Sequence, residues 1–145
     1  FMESTFAKQI ALIENKFLPP IVKTGNLDSI RTIADVRDAV KAYFMLVTAD
    51  NIPPGAVFNI GGTYTTSVKE ILKKLISLST FEDIKHEVDP NRIRPIDADL
   101  QIPDTSKFKQ YTCWEPAYTF DQTMADLLNY WREKVDQYGN EFLQR

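Results

Sequence analysis

With 145 residues, 43% of them hydrophobic and 12% aromatic, the chain is large enough for one core burying roughly 68% of its unfolded surface, and one domain over residues 1–145 is expected. A net charge of -3, with no block of like charges, excludes the broad basic footprint of a nucleic-acid binder, so an anionic partner must be held by a few placed cations. One cysteine, Cys113, excludes an internal disulfide and a cysteine metal cluster, and no apolar run approaches the ~20 residues of a membrane span.

The chain opens on Phe1 and enters a helical pattern almost at once, so it is expected to begin inside a longer polypeptide. In "STFAKQIALIENKF", Phe6, Ile10, Ile13 and Phe17 recur at helical spacing, and "LPP" ends the helix. Ile21 to Lys23 form a short strand candidate, closed by a turn at Gly25 and Asn26. "DVRDAVKAYFMLVTAD" repeats the helical spacing through Val36, Val40, Tyr43 and Val47, with Asp35 placed to cap the first turn. "AVFNIGG" reads as a β-type run whose glycines, Gly61 and Gly62, turn the chain into the next helix. That helix, "SVKEILKKLISLS", begins with Ser67 and Glu70 at capping-box spacing. A last helix starts at Thr119 with Gln122 at the same spacing and carries Phe120, Met124, Leu127, Leu128, Trp131 and Val135 on one face. Helices therefore dominate: four main ones with a few short strands, and no internal repeat or linker.

Between the last two helices lies "DPNRIRPIDADLQIPDTSK". Pro95 lacks an N–H and pushes Arg94 toward an extended conformation, so the run reads as ordered loop or short strand on which Arg92 and Arg94 point the same way. Taken alone, these arginines could be a solvated cluster with Asp97 and Asp99. The same run could instead hold an anion.

The stock of chemistry is thin. His86 has no second histidine or cysteine beside it and reads as a surface residue, while Cys113 reads as a small buried filler. "NIGGTYTTS" lacks the spacing of a phosphate-cradling loop. The cations are better candidates: Lys8, one position off the apolar face of the first helix, Arg31 after the Gly-Asn-Leu-Asp turn, and Arg94. The planar fork of arginine donates two parallel charge-assisted hydrogen bonds to phosphate oxygens, and lysine adds a point charge.

In order, "FMESTFAKQIALIE", "GNLDSIRTIADVRDAVKAY", "FNIGGTYTTSVKEIL", "RIRPIDADLQIPDTSKF" and "WEPAYTFDQTMADLLNYWRE" resemble the C-terminal part of the GDP-mannose 4,6-dehydratase and GDP-4-keto-6-deoxymannose reductase group. These are extended short-chain dehydrogenase/reductase enzymes of the NAD-dependent epimerase/dehydratase superfamily. The resemblance implies an α/β fold, mostly helical with a few short strands: the substrate-binding portion, with the Rossmann domain absent. It implies that Lys8 approaches the nucleotide or its phosphates, that the "IVKTGNL" segment with Asn26 lines the guanine side, and that Arg31 and Arg94 clamp the diphosphate. Asp97 stands where the dehydratases usually carry a glutamate after Arg-Pro, and Arg92 takes a structural role.

The implied parent enzyme is cytoplasmic and binds NADP, or NAD, through an N-terminal Rossmann domain missing from this chain, which is expected to bind no cofactor itself. A dehydratase would oxidise C4 of GDP-mannose, lose water across C5 and C6 and return hydride at C6; a reductase would deliver hydride to the 4-keto group. The dehydratases read Arg-Asp-Trp-Gly after the Gly-Asn-Leu turn, and "RTIADVRDAV" departs from this toward the reductase side. The glycine motif of the cofactor fold is missing, and the bare Tyr-x-x-x-Lys pattern occurs only as Tyr130 and Lys134, where amphipathic helix spacing accounts for it. The implied partners are GDP-mannose or a related GDP-sugar, the Rossmann domain, and a second copy through exposed apolar surface, with no nucleic acid and no membrane. A reading from another class is a non-catalytic helical module that docks a protein through the face bearing Leu128 and Trp131.

Overall fold

The computed structural model describes residues 2–93, 98–139 and 141. Helix α1 (Met2–Glu14) leads into strand β1 (Ile21–Thr24) and strand β2 (Ile30–Ile33), followed by helix α2 (Val36–Thr48). Strand β3 (Tyr64–Ser67) runs directly into helix α3 (Val68–Ser77), and strand β4 (Lys85–Val88) precedes a single 3-10 turn at Pro90–Arg92. Strand β5 (Leu100–Gln101), the short helix α4 (Ser106–Thr112) and the long helix α5 (Phe120–Tyr138) complete the order. This is the expected α/β chain dominated by helices.

Local chemistry sets the helix starts. Asp35 accepts the Arg37 N–H at 2.9 Å, Ser67 accepts the Glu70 N–H at 3.3 Å, and Thr119 and Gln122 close a full capping box. Helix α1 ends before Phe17 because Lys16 turns left-handed at φ 60° and Pro19 and Pro20 follow.

The core lies between α1, α3 and α5. Phe6, Ile10, Ile13, Ile71, Leu72, Leu75, Met124 and Leu128 are buried together with Val22 of β1. Among the described residues, two small sheets flank it. Strand β1 pairs in parallel with β4, placing Lys23 opposite Glu87, and β2 lies between antiparallel β3 and parallel β5, with Arg31 opposite Thr66 and Gln101. A second cluster forms around Ala42, Phe108 and Trp114, and the Trp114 indole donates to the Asp38 carbonyl at 3.1 Å.

Several expectations change here. "AVFNIGG" joins no ladder among the described residues: Phe58 and Ile60 pack on the second cluster, Val57 is exposed, and pairing begins only at Tyr64. Gly62 is required by a close approach, since a Cβ there would lie 1.6 Å from the Ile33 carbonyl oxygen. Strand β2 and helix α4 lacked a readable period because each is too short to show one. Cys113 is exposed, contrary to the buried filler expected, because it caps α4 in the left-handed conformation at φ 52° and its side chain is turned outward. His86 lies on exposed β4, as expected.

Helix α2 forms where the spacing places it, with Asp35 as its cap, but its apolar face is left open. Val36, Val40, Tyr43 and Val47, the residues that carry its helical spacing, are 60% to 85% exposed, while Ala42, Met45 and Leu46 face the second cluster. Periodicity reports that a face is apolar, not which body covers it. Leu128 of α5 is fully buried and Trp131 packs against the main core, so the face assigned to protein docking is interior and the exposed apolar face belongs to α2.

Candidate functional site

Where α1, the turn after β1, strand β2 and the 3-10 turn meet, they enclose a cleft of about 710 Å³. One wall is the start of α1, with Met2, Glu3, Thr5 and Phe6. The opposite wall is Lys23, Gly25 and Asn26 with Arg92 behind them. The floor is β2, through Arg31, Thr32 and Ile33, with Gln101 of β5 at its edge.

The geometry follows from the sequence around each wall. Asn26 donates to the Ser29 hydroxyl at 3.0 Å and accepts the Asp28 N–H at 2.9 Å, which closes the turn that swings the chain from β1 into β2. Gly25 lets the 3-10 turn close in: a Cβ there would lie 2.5 Å from the Arg92 carbonyl oxygen. Asp89 caps that turn by accepting the Asn91 N–H at 3.0 Å, and Pro90 occupies its first position. Arg31, half-buried in β2, donates from Nη1 to the Ile30 carbonyl at 2.8 Å. Thr32 reaches across the sheet to the Thr65 hydroxyl at 2.8 Å and the Gln101 carbonyl at 3.2 Å.

The junction from β2 into α2 is electrostatically fixed. Hydrogen bonds from the Arg37 guanidinium, with help from Thr123, outweigh burial and hold the Asp35 carboxyl down to about 2, while Arg37 is raised above its ordinary value. Arg37 also pairs with Asp126 at 2.7 Å and lies 3.6 Å over the Tyr118 ring, so α2, α5 and the loop before α5 are tied together beside the end of β2.

Among the described residues, Lys23, Arg31 and Arg92 give the cleft three cationic side chains against the single carboxylate of Glu3. Lys23 is paired with Glu87, and Arg92 Nε lies 3.4 Å from Asp89. Both pairs are partly exposed and therefore weak, so a phosphate entering the cleft can draw either cation away at small cost. The apolar contributions of Phe6, Ile33 and Val68 suit a ligand with both a charged and a flat apolar part.

Of the residues singled out in sequence, Asn26 and Arg31 meet in this cleft. Lys8 does not line it; its ammonium lies 5.7 Å from the Trp131 ring centroid. Arg94 and Asp97 lie outside the described residues. Arg92 was read as structural and as strand-like in its alternation with Arg94. Instead it ends a 3-10 turn, because Asp89 and Pro90 start one, and it lines the cleft. Lys23 was legible only as part of "IVKTGNL", and Thr5 and Gln101 carried no signal, since they arrive through tertiary contact.

A second, more open depression of about 610 Å³ lies between α3 and the start of α5. Its lysines are engaged, Lys73 with Glu70 at 2.7 Å and Lys74 with Asp121 at 2.9 Å. No cluster of three metal-ligating side chains exists among the described residues. Tyr130 and Lys134 lie on α5 itself, where the Lys134 ammonium sits 5.7 Å from the Tyr130 ring centroid and 5.4 Å from that of Tyr138.

The sequence model described as GDP-mannose 4,6 dehydratase matches residues 1–127. A GDP-6-deoxy-D-mannose reductase of Pseudomonas aeruginosa is 24% identical over 135 residues, which is 93% of this chain and 43% of that protein, so the chain spans less than half the length of this relative. Among solved structures, RMD from Pseudomonas aeruginosa complexed with NADPH superposes with a TM-score of 0.82 at 22% identity, covering 93% of this chain and 43% of that one. A UDP-glucose 4-epimerase from Bifidobacterium longum in complex with NAD+ and UDP gives 0.72 at 22% identity over 90% and 40%. These likenesses show the fold, an α/β arrangement matching the C-terminal part of extended short-chain dehydrogenase/reductase enzymes. With the family model spanning most of its length, the chain belongs to the GDP-mannose 4,6 dehydratase family.

Proposed function

We propose that this chain forms the nucleotide-sugar-binding part of an enzyme acting on a GDP-sugar, with the cleft between α1 and β2 as the site for the nucleotide diphosphate. The observation that carries the reading is the gathering of Lys23 and Arg31, on consecutive strands, with Arg92, about sixty residues further along the chain, around one cleft in a chain of net charge -3. Arg31 and Asn26 are the contacts we assign to the ligand, with Arg94 and Asp97 assigned to the same site from sequence. A diphosphate bridging Arg31 and Arg92 would neutralise both and set the sugar's position relative to the reacting groups.

Nicotinamide chemistry does not fit the residues present. The described sheets have two and three strands, no Gly-x-x-Gly-x-x-Gly run occurs in the sequence, and Tyr130 and Lys134 lie away from the cleft on α5. We assign the cofactor, NADP or NAD, to another part of the full enzyme, which is expected to pack on the exposed face of α2. The contribution of this chain is binding and orientation.

The reaction we assign first is the 4,6-dehydration of GDP-mannose. Reduction of GDP-4-keto-6-deoxymannose is the second reading, favoured by the reductase among the relatives. Supplying the full-length protein with GDP-mannose and NADP, and separately with the 4-keto sugar and NADPH, distinguishes them by which substrate disappears. Consumption of neither, together with no binding of GDP, would overturn the proposal; the isolated 145-residue chain is expected to turn over neither.

A further inference from the structure

Gln9 sits on α1 with 8% of its surface exposed, among the few buried polar side chains of the described residues. Its carboxamide faces the backbone of β1. The Oε1 atom accepts the Lys23 N–H at 2.8 Å, and Nε2 donates to the Lys23 carbonyl at 3.1 Å and to the Thr5 carbonyl at 3.3 Å. A side-chain amide has the same donor and acceptor as a peptide group, so Gln9 pairs with Lys23 as a neighbouring strand would.

This pairing falls on the edge of β1 that its own sheet leaves open. Strand β1 has β4 on one side, where the Asp89 N–H reaches the Thr24 carbonyl at 2.8 Å. In a pleated strand the backbone groups of successive residues point to opposite edges, so Lys23 directs its pair away from β4 and toward α1. Without Gln9, a half-buried N–H and C=O would be left facing a helix that has no backbone donor or acceptor to spare in its middle.

The consequence is positional. Thr5 belongs to one wall of the cleft and Lys23 to the other, and one carboxamide holds both. The residues after Lys23 carry the constraint onward: Gly25 abuts the Arg92 carbonyl and Asn26 closes the turn into β2, where Arg31 stands. Gln9 does not itself line the cleft.

We propose that Gln9 is a positioning residue for the nucleotide-sugar site: its bidentate grip on the Lys23 peptide sets the separation of the two cleft walls, and thereby the placement of Lys23, Arg31 and Arg92 around a diphosphate. The inference rests on the reading of the cleft given under Proposed function.

The test uses the full-length protein with GDP as the probe, in the native protein, in Gln9→Met, which removes both the donor and the acceptor, and in Gln9→Glu, which keeps an acceptor and the volume but loses the donor. Leu75→Ala, a core truncation in α3, serves as the control for lost stability. Both Gln9 variants are expected to raise the Kd for GDP at least tenfold, measured where each protein is fully folded, and to speed hydrogen exchange at the Lys23 amide. Leu75→Ala is expected to lower the melting temperature and leave the Kd within twofold of native. A Kd within twofold of native in either folded Gln9 variant overturns the inference while leaving the cleft reading intact, and Gln9→Glu serves if the methionine variant does not fold. Failure of the native protein to bind GDP overturns both.

Discussion

Arg132 of α5 holds Glu14 at the end of α1 with two parallel hydrogen bonds, Nε to Oε2 and Nη2 to Oε1, each 2.7 Å, while Nη2 also donates to the Leu78 carbonyl at 2.9 Å. The ends of α1 and α3 are thereby fastened to the middle of α5. Burial pushes the Glu14 carboxyl up, but the hydrogen bonds from Arg132, the Thr80 N–H and the Ser79 hydroxyl outweigh it and leave the group below its ordinary value. The arrangement is structural: it ties together α1, α3 and α5, the helices that share the main core.

Arg132→Met is expected to destabilise the fold by about 3 kcal/mol, because it leaves a largely buried carboxylate without its partner. Urea unfolding monitored by circular dichroism gives the value. A loss below about 1 kcal/mol would show that water replaces the guanidinium at little cost.

Asp35 makes stability depend on acidity. Its folded value, about 2, lies below the ordinary 3.8, so the stabilisation is fully present above the unfolded value and is lost as the pH falls through the folded one. Since Arg37 is itself partly exposed, the contribution is at most about 2 kcal/mol. Asp35→Asn keeps the cap acceptor and removes the charge. The stability difference between native and variant is expected to be constant above about pH 5 and to shrink between about pH 4 and pH 2.

Charge reversal at Arg31 is expected to weaken GDP binding at least tenfold, and Arg92→Ala several-fold, with native affinity falling as salt rises. Lys8→Ala is expected to change affinity by less than twofold, since its ammonium stands over Trp131. Calorimetric titration measures all three. A tenfold loss at Lys8 would bring that side chain to the ligand and require a different pose.

The apolar face of α2 should govern association of the isolated 145-residue chain. Val40, Tyr43, Phe44 and Val47 are each at least 60% exposed on one helix, a patch that water solvates poorly. Tyr43→Glu combined with Val47→Glu is expected to shift the chain toward monomer in gel filtration and reduce hydrophobic dye binding, with a melting temperature within about 2 °C of native. An unchanged elution volume and dye signal would count against this face as the sticky surface.

Helix faces and caps were legible in the sequence because their determinants are local. The periods of α1, α3 and α5 and the caps at Asp35, Ser67 and Thr119 were all readable, since a cap and the N–H it satisfies lie within three residues. The turn at Gly25 and Asn26 was readable for the same reason. The partner of an apolar face was not: Leu128 and Val40 both sit on amphipathic helices, yet the first is fully buried and the second 60% exposed. Nor was "AVFNIGG" distinguishable from a paired strand, because β-type composition names a conformation and not a neighbour.

By itself, the order of residues determined the α/β class of this chain, where its main helices begin, and the family it resembles. Tertiary structure alone decided that Arg92 shares a cleft with Arg31, that Lys8 turns to Trp131, and that Gln9 completes the open edge of β1. Each of those depends on where two remote segments come to rest, and that is set by burial of the helix layer as a whole rather than by any short stretch of chain.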